Sequence, residues 1–591
     1  MGQHGQYLKL GAAAAAVGIA LALVGVIVVV GPPFQAVPEH EGPRPTPLPQ
    51  SDPPKPTATA TPTATAAIAT PTATAAIAKI AAPALRADLE RLYAASGDKL
   101  IWSGDSAAQP RLRDLSSALD AASAQGIDGT KATAARDALQ ASDVDTAQGD
   151  VALTGQVLML ARALRFGQVP DAQIEDWHVA GDAIDIVPDL AAALTSAKID
   201  AFLRTLPPSD ATYAKLIESL ARYRALTAAG GWPQIASDGE LKIDPTDPRM
   251  EVLQRRLIAE GYVVEAAELS KASLSEALTA FQTHNGLAPD GRAGKDTLKA
   301  LNVSAEDRVG QIVANLERRR HLPSALPVDR IAVNTADQSM VLYTGGAPAL
   351  QLRTIVGDRR HPTPMLALTL AAVTLNPTWE IPPSIASKEI LPHLQRDPNY
   401  LAANDMVIVD GPQGDPQGLR VNWKHYRAMP WRLRQNSGAR NSLGEVKFEM
   451  WNSYSIYLHD TPARQLFAKT DRYMSHGCVR VDQSRELARH VLMNQPGWDG
   501  DALAAAIATG EKKMIRLKRA IPVLIMYWTA FVDDAGQLQF RADAYRRDAP
   551  LAELLGHPPR RAAAPVASRE QYAQIFAPRG QTNFVAAHTS D

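Results

Sequence analysis

Tyr457-Leu458-His459-Asp460 and Ser475-His476-Gly477-Cys478-Val479-Arg480, whose cysteine lies nineteen positions beyond His459, are the stretch on which the reading of this chain turns. Cys478 is the one cysteine in 591 residues, so it has no partner for an internal disulfide and cannot belong to a multi-thiolate metal site. A lone cysteine is either an apolar filler or a reactive thiol. Its neighbours favour the thiol. Gly477 lets a backbone or substrate approach closely, and two histidines with an arginine nearby predict a thiol pKa lowered toward the thiolate. Strand alternation then places the base. In Tyr454 to His459, positions 454, 456 and 458 share one face, while Ser455, Tyr457 and His459 share the other. His459 is expected to take the Cys478 proton, giving a thiolate–imidazolium pair, and to return it to a leaving amine. The Gly477 and Cys478 amides are candidate oxyanion donors, on a turn that Gly477 permits. His476 is either a second polariser of the thiolate or a turn-stabilising hydrogen-bond partner. Arg480 either pins carbonyls of the loop or meets a substrate carboxylate, and Ser475 is a loop hydroxyl facing substrate. Asp482 reads as the N-cap of a following helix.

A histidine upstream of Ser-His-Gly-Cys-x-Arg resembles the L,D-transpeptidase family of cysteine enzymes that cross-link bacterial peptidoglycan. Asn376-Pro377-Thr378-Trp379, Pro382-Pro383-Ser384-Ile385, Leu466-Phe467 and Arg472-Tyr473-Met474 extend the likeness to its large periplasmic branch. The resemblance implies attack on the bond between the third and fourth residues of a stem tetrapeptide. D-Ala would leave, and a Cys478 thioester would pass to a neighbouring stem amine as a 3→3 cross-link. Water as acceptor would make the enzyme a carboxypeptidase, and a lipoprotein lysine would make it an anchoring enzyme. The resemblance also implies that a backbone carbonyl beside His459, with Asp460 the candidate, orients the imidazole. Tyr457 and Trp379 are candidate substrate contacts. No metal and no organic cofactor is required.

Working outward, the expected fold is a multi-domain α+β chain. Residues 1–9 form a cytoplasmic stub, and 10–30 are twenty-one uncharged, mostly apolar positions. That run reaches roughly 31 Å, enough to cross a bilayer core. It reads as an uncleaved transmembrane signal anchor, the alternative being a cleaved signal peptide, with the remainder in the periplasm. Residues 31–82 are a Pro/Thr/Ala linker carrying a nine-residue repeat at 61–69 and 70–78, too poor in large apolar groups to fold.

Residues 83–244 read as a helical scaffold, with Leu85, Leu89, Leu92 and Leu153, Val157, Leu160, Leu164 at helical spacing. Residues 245–302 resemble the three-helix peptidoglycan-binding module: Leu274, Leu278 and Phe281 line one face, and Asn285-Gly286 ends that helix. The module shows no surface signature for docking and is expected to act as a wall anchor. Residues 303–326 are a helix returning to the scaffold, ending in Arg320-His321-Leu322-Pro323 where the family often has tryptophan in place of His321. From 327 to 557 the period falls to two, as at Ile331, Val333, Thr335 and Met340, Leu342, opening a mainly-β catalytic domain. A cap at about 377–444 interrupts it, rich in Pro, Gly and Trp. Residues 558–591 read as a disordered tail.

A formal net charge of −1 gives no sign of nucleic-acid binding. A papain-like protease is disfavoured because there the cysteine precedes its histidine by more than a hundred residues. A non-catalytic wall-binding scaffold is disfavoured by the intact His459/Cys478 pair. The expected partners are peptidoglycan stem peptides and glycan, and the membrane through residues 10–30.

Overall fold

A computed structural model describes residues 72–559, apart from 104, 128–130, 142–143, 238, 245 and 264–269. The expected membrane anchor, most of the linker and the tail from 560 lie outside the described residues. Among the described residues no helix is long and apolar enough to cross a membrane.

The linker stops short of residue 82. Thr74–Ile77 form a helical turn, Thr72 bridges to Lys99, and Ala73 and Ile77 are buried among the scaffold helices. Isoleucine is the large apolar residue of the nine-residue repeat, and in the second copy it has a core to enter. That core is built by helices Pro83–Ala95, Ala108–Ala124, Ala147–Phe166 and Val187–Ser196. Leu89, Leu92, Leu153, Val157, Leu160 and Leu164 all point into it, as their spacing predicts. The scaffold also contributes a strand that its sequence does not announce: β1 (Trp177–His178).

Helices Met250–Ala259, Lys271–His284 and Lys295–Leu301 form the three-helix module around Leu253, Leu257, Leu274, Leu278 and Phe281. Gly286 ends the second helix at φ +65°. The module core also takes Ile235 and Leu241 from the segment ahead of it. Nor is it a loose anchor, for its contacts with the rest of the chain are buried and specific. Tyr223 Oη donates to Glu260 (2.7 Å), and Arg308 Nη2 donates to Asn285 Oδ1 (2.6 Å). A Cβ on Gly286 would lie 2.4 Å from Arg541 Cδ. These docking groups are polar and scattered along the chain, which is why no local pattern discloses them.

Helix Ala305–Arg320 runs between scaffold, module and catalytic domain, and is buried on almost every face. Its charges are therefore paired: Arg318 with Asp548 (2.7 Å) and Arg320 with Glu317 (2.9 Å). His321 fills its place by setting its ring edge-on to Trp177 (5.5 Å) and its Nδ1 against Asp171 (2.5 Å).

The catalytic strands are β2 (Arg330–Asn334), β3 (Ser339–Thr344), β4 (Ala347–Gly357) and β5 (Met365–Leu375). The cap adds β6 (Trp379–Ile381), β7 (Met406–Ile408) and β8 (Leu433–Gln435). After it come β9 (Val446–Glu449), β10 (Leu458–His459), β11 (Tyr473–Ser475), β12 (Val479–Val481) and β13 (Lys513–Met526). The main sheet runs β1-β5-β13-β2-β3-β4-β12-β10-β9, and β9 also pairs with β5, so the ladder closes on itself. Ile331, Val333, Met340, Leu352, Leu458, Val479 and Val481 fill its interior. β1 extends the sheet from the scaffold, in parallel register Trp177↔Met365. A hairpin of β14 (Ala530–Val532) and β15 (Leu538–Phe540) follows. The cap is a small folded unit: β6, β8 and β7 form one sheet over a core of Ile381, Leu391, Leu394, Leu401, Trp423 and Leu433.

Two local expectations fail. Only Leu458–His459 are strand; Ser455 turns at φ +56°, and Tyr454 lies exposed against His178 instead of in the core. Helix Ser484–Leu492 is preceded by Gln483 in the left-handed region. Asp482 therefore does not cap it and instead pairs with Arg353 (3.0 Å).

Candidate active site

The nucleophile loop joins β11 to β12, and its own hydroxyl ties it down. Ser475 Oγ donates to Cys478 O (2.5 Å) and accepts from Gly477 N–H (3.1 Å). Ser475 is thus a buried staple of the loop. The same bond takes the Gly477 amide out of the expected oxyanion pair. The Cys478 amide, by contrast, has no hydrogen-bond partner among the described residues. Gly477 sits at φ +112°, a conformation that side chains rarely adopt. Its carbonyl accepts from Thr363 Oγ1 (2.7 Å), which in turn accepts from Gly357 N–H (2.9 Å). Tyr545 Oη donates to the Gly357 carbonyl (2.7 Å). A second layer thus holds the turn from β4.

His459 is buried at the end of β10, opposite Arg480 across the parallel β10–β12 ladder. Its Nδ1 contacts Asp460 O at 2.5 Å. A carbonyl only accepts, so Nδ1 carries the proton and Nε2 keeps its lone pair. Asp460 is itself fixed, its carboxylate accepting from Glu445 N–H (3.0 Å) and from Arg464 (3.1 Å). The thiol does not bond His459. Sγ donates to Ser455 O at 3.4 Å, the carbonyl presented by the turn that replaces the expected strand.

Charge at the site departs from the expected thiolate–imidazolium pair. Burial pushes the Cys478 thiol up, outweighing the pull of Tyr457, Lys447 and Arg480. Burial, then Arg480 and Lys447, lowers His459 to about 3 despite the Asp460 carbonyl. At rest the thiol and the imidazole are both held neutral by burial. Among the described residues Arg480 carries no ion pair, and its Nε is buried without a hydrogen-bond partner. Burial holds that guanidinium below its ordinary value, with only the Cys478 sulfur opposing. It does not pin loop carbonyls.

Tyr457 faces the thiol, and Trp379 of the cap bears on the same phenol. Burial, followed by the Cys478 sulfur, pushes Tyr457 well above its usual value, while Trp379 opposes. Lys447 Nζ sits over the Tyr457 ring (4.4 Å) and pairs with Glu449 (2.8 Å). His476 turns away from the thiolate and pairs with Glu389 of the cap (2.6 Å), its ring 4.9 Å from that of His361. Both expected roles for His476 give way to a contact between loop and cap. Thr363, Lys447 and Glu389 lie outside the motif, with no sequence pattern to mark them, and Ser455 acts through its carbonyl instead of its side chain.

A neutral base fixes the pH dependence. An unfolded histidine titrates near 6.5, whereas His459 resists protonation down to about 3. Its stabilising contribution is full above pH 6.5 and is lost as pH falls toward 3, on the order of 1 kcal/mol per unit. The acid limb of kcat/KM should likewise lie far below the imidazole range, leaving the profile flat from pH 7 to 5. Stopped assays across that range check it, and an acid limb near 6.5 would mean a solvated His459.

Residues 328–502 match the model of the L,D-transpeptidase catalytic domain. Residues 87–220 match the Scaffold domain, and 246–301 the "Putative peptidoglycan binding domain". A Haemophilus influenzae protein named "Putative L,D-transpeptidase" is 31% identical over 276 residues, 45% of this chain. The match spans about half (55%) of that relative's own length. Among solved structures, the Ldtfm–avibactam carbamoyl enzyme is 12% identical, covering 53% of this chain and 98% of that one at a TM-score of 0.17. A mutant of the Enterococcus faecium L,D-transpeptidase is also 12% identical, covering 52% and 100% at 0.15. At such scores neither structure carries any argument about this one. Residues 328–502 therefore carry an L,D-transpeptidase catalytic domain, preceded by the matched scaffold and peptidoglycan-binding domains.

Proposed function

We propose that this protein is a peptidoglycan L,D-transpeptidase with Cys478 as nucleophile and His459 as base. The observation that carries the reading is the half-buried Cys478 thiol on a doubly tied turn, with the neutral His459 oriented by the Asp460 carbonyl. Substrate binding would turn Sγ from Ser455 O toward His459 Nε2. Sulfur then bonds the carbonyl carbon of the third stem residue as its proton passes to His459. The bond to D-Ala breaks, and D-Ala leaves as the amine that receives this proton. A neighbouring stem amine attacks the thioester, gives up a proton to His459 and regenerates the thiol. Cys478 N–H is the oxyanion donor, and the unpaired Arg480 meets a substrate carboxylate. The chain is read as tethered through residues 10–30 with its catalytic part in the periplasm.

Two measurements on the full-length protein test this. Disaccharide-tetrapeptide should yield a cross-linked dimer and free D-Ala by mass spectrometry; monomeric tripeptide alone would point to water as acceptor. A carbapenem should add once, at Cys478, by opening its strained lactam. Unmodified protein after long exposure, with the thiol verified as reduced, would overturn the assignment.

A further inference from the structure

Away from the nucleophile, a cavity of about 270 Å³ opens between the module and the catalytic domain. The module supplies one wall, the Gly286–Pro289 loop, and the other carries Asp337, Arg353, Lys469, Arg472 and Arg541. Four cations therefore face one carboxylate across this space. Arg541 is matched by Asp337 (2.5 Å), and Arg353 by Asp482 from outside the cavity (3.0 Å). Lys469 and Arg472 have no carboxylate in ion-pair contact among the described residues. Arg472 donates instead to the carbonyls of Thr354 (3.0 Å), Gln338 (3.0 Å) and Lys469 (2.8 Å). Carbonyls fix the guanidinium in place, and the carboxylates of Asp337 and Asp482 act on it only from beyond ion-pair distance. Burial holds Arg472 below its ordinary value, a cost that an incoming anion would relieve.

An interface serving only to hold two domains together gains nothing from two unmatched cations beside an open cavity, because their desolvation opposes docking. Two other buried arginines at domain contacts meet carboxylates directly, Arg318 with Asp548 and Arg320 with Glu317. The cavity is also in register with the chemistry. Arg472 immediately precedes β11, whose three residues lead into the nucleophile loop, a span of roughly 10 Å.

We propose that this cleft is a second binding site, which takes a carboxylate-bearing stem peptide of peptidoglycan lying outside the acyl-donor groove, with Lys469 and Arg472 as its anion contacts. The naming of the anion rests on the transpeptidase reading; the site rests on the charge imbalance. The module then does more than hold the enzyme on the wall: it forms one side of a groove that sets a neighbouring stem in line with Cys478.

The test uses full-length protein acylated at Cys478 by a carbapenem, so that the donor groove is closed. Titration calorimetry with disaccharide-tetrapeptide should still show binding. Lys469→Glu, an exposed position whose side chain holds no partner among the described residues, should weaken it about tenfold, and so should amidation of the peptide carboxylates. Raising salt should weaken it further. No binding to the acylated protein would overturn the proposal. So would binding indifferent to Lys469→Glu and to amidation, or binding that inorganic phosphate displaces while the amidated peptide still matches the acid. D-Ala release by unblocked enzyme is measured alongside. Normal release without binding to the blocked form counts against the cleft alone, whereas no release counts against the transpeptidase reading.

Discussion

Cys478→Ala should abolish formation of cross-linked dimer and release of D-Ala while leaving the fold intact. The side chain is half-buried, and its hydrogen bond from Sγ to Ser455 O is long, at 3.4 Å. The loop is held instead by Ser475 and Thr363, neither of which the substitution touches. Chemistry is thus lost without architecture. His459→Ala should be nearly as severe, because neither group can act alone: the thiol is protonated at rest and needs an acceptor for its proton. The double variant should be no worse than either single one, since the two act as a unit. Circular dichroism and product analysis on the same samples separate loss of chemistry from loss of fold. Substantial cross-linking by either variant would remove these residues from the mechanism.

Glu260→Leu should have the largest effect on stability. Glu260 is 7% exposed and accepts from Tyr223 Oη, with Arg256 Nη1 2.6 Å from its other oxygen. Arg256 and Glu260 meet off the line of a hydrogen bond, so their interaction is a charge contact. Burial already lowers Arg308, and Glu260 is what chiefly opposes that. Taking the carboxylate away leaves Arg256 and Arg308 buried without compensation, a loss of about 3–5 kcal/mol. Hydrogen exchange should show it as reduced protection in helices Met250–Ala259 and Lys271–His284. Adding Arg256→Met should restore part of the loss, since an apolar side chain can still pack under Trp232. Protection unchanged in Glu260→Leu would mean that the module is held by its apolar core alone.

How much of this was legible in the sequence depended on the range of the interaction concerned. Leu274, Leu278 and Phe281, or Ile331, Val333 and Met340, declare their elements because burial on one face imposes a period on neighbouring residues. Ser475, Gly477 and Cys478 declare the turn because a single loop holds all three. His459 is close enough in sequence for strand alternation to reach it, although the strand proved to be two residues long. The pKa logic failed, because counting cationic neighbours says nothing about burial, and burial dominates both Cys478 and His459. His476 was misplaced because its partner, Glu389, is supplied by the cap. Thr363 and Tyr545, which brace the turn, come from separate segments that only the closed ladder brings together.

The closed ladder also limits how this enzyme can be taken apart. The catalytic-domain match ends at residue 502, ahead of β13, which lies between β5 and β2 in the middle of the ladder. β1, from the scaffold, covers the outer edge of β5, and Asp548, near the C-terminal end of the described chain, neutralises buried Arg318. A fragment cut to the matched boundaries would expose two unpaired strand edges and invite edge-to-edge aggregation. Screens for inhibitors, and crystals of inhibitor complexes, therefore call for protein that keeps the scaffold strand Trp177–His178, β13 and Asp548. Recombination that exchanged the catalytic segment between relatives would have to carry β1 and β13 with it.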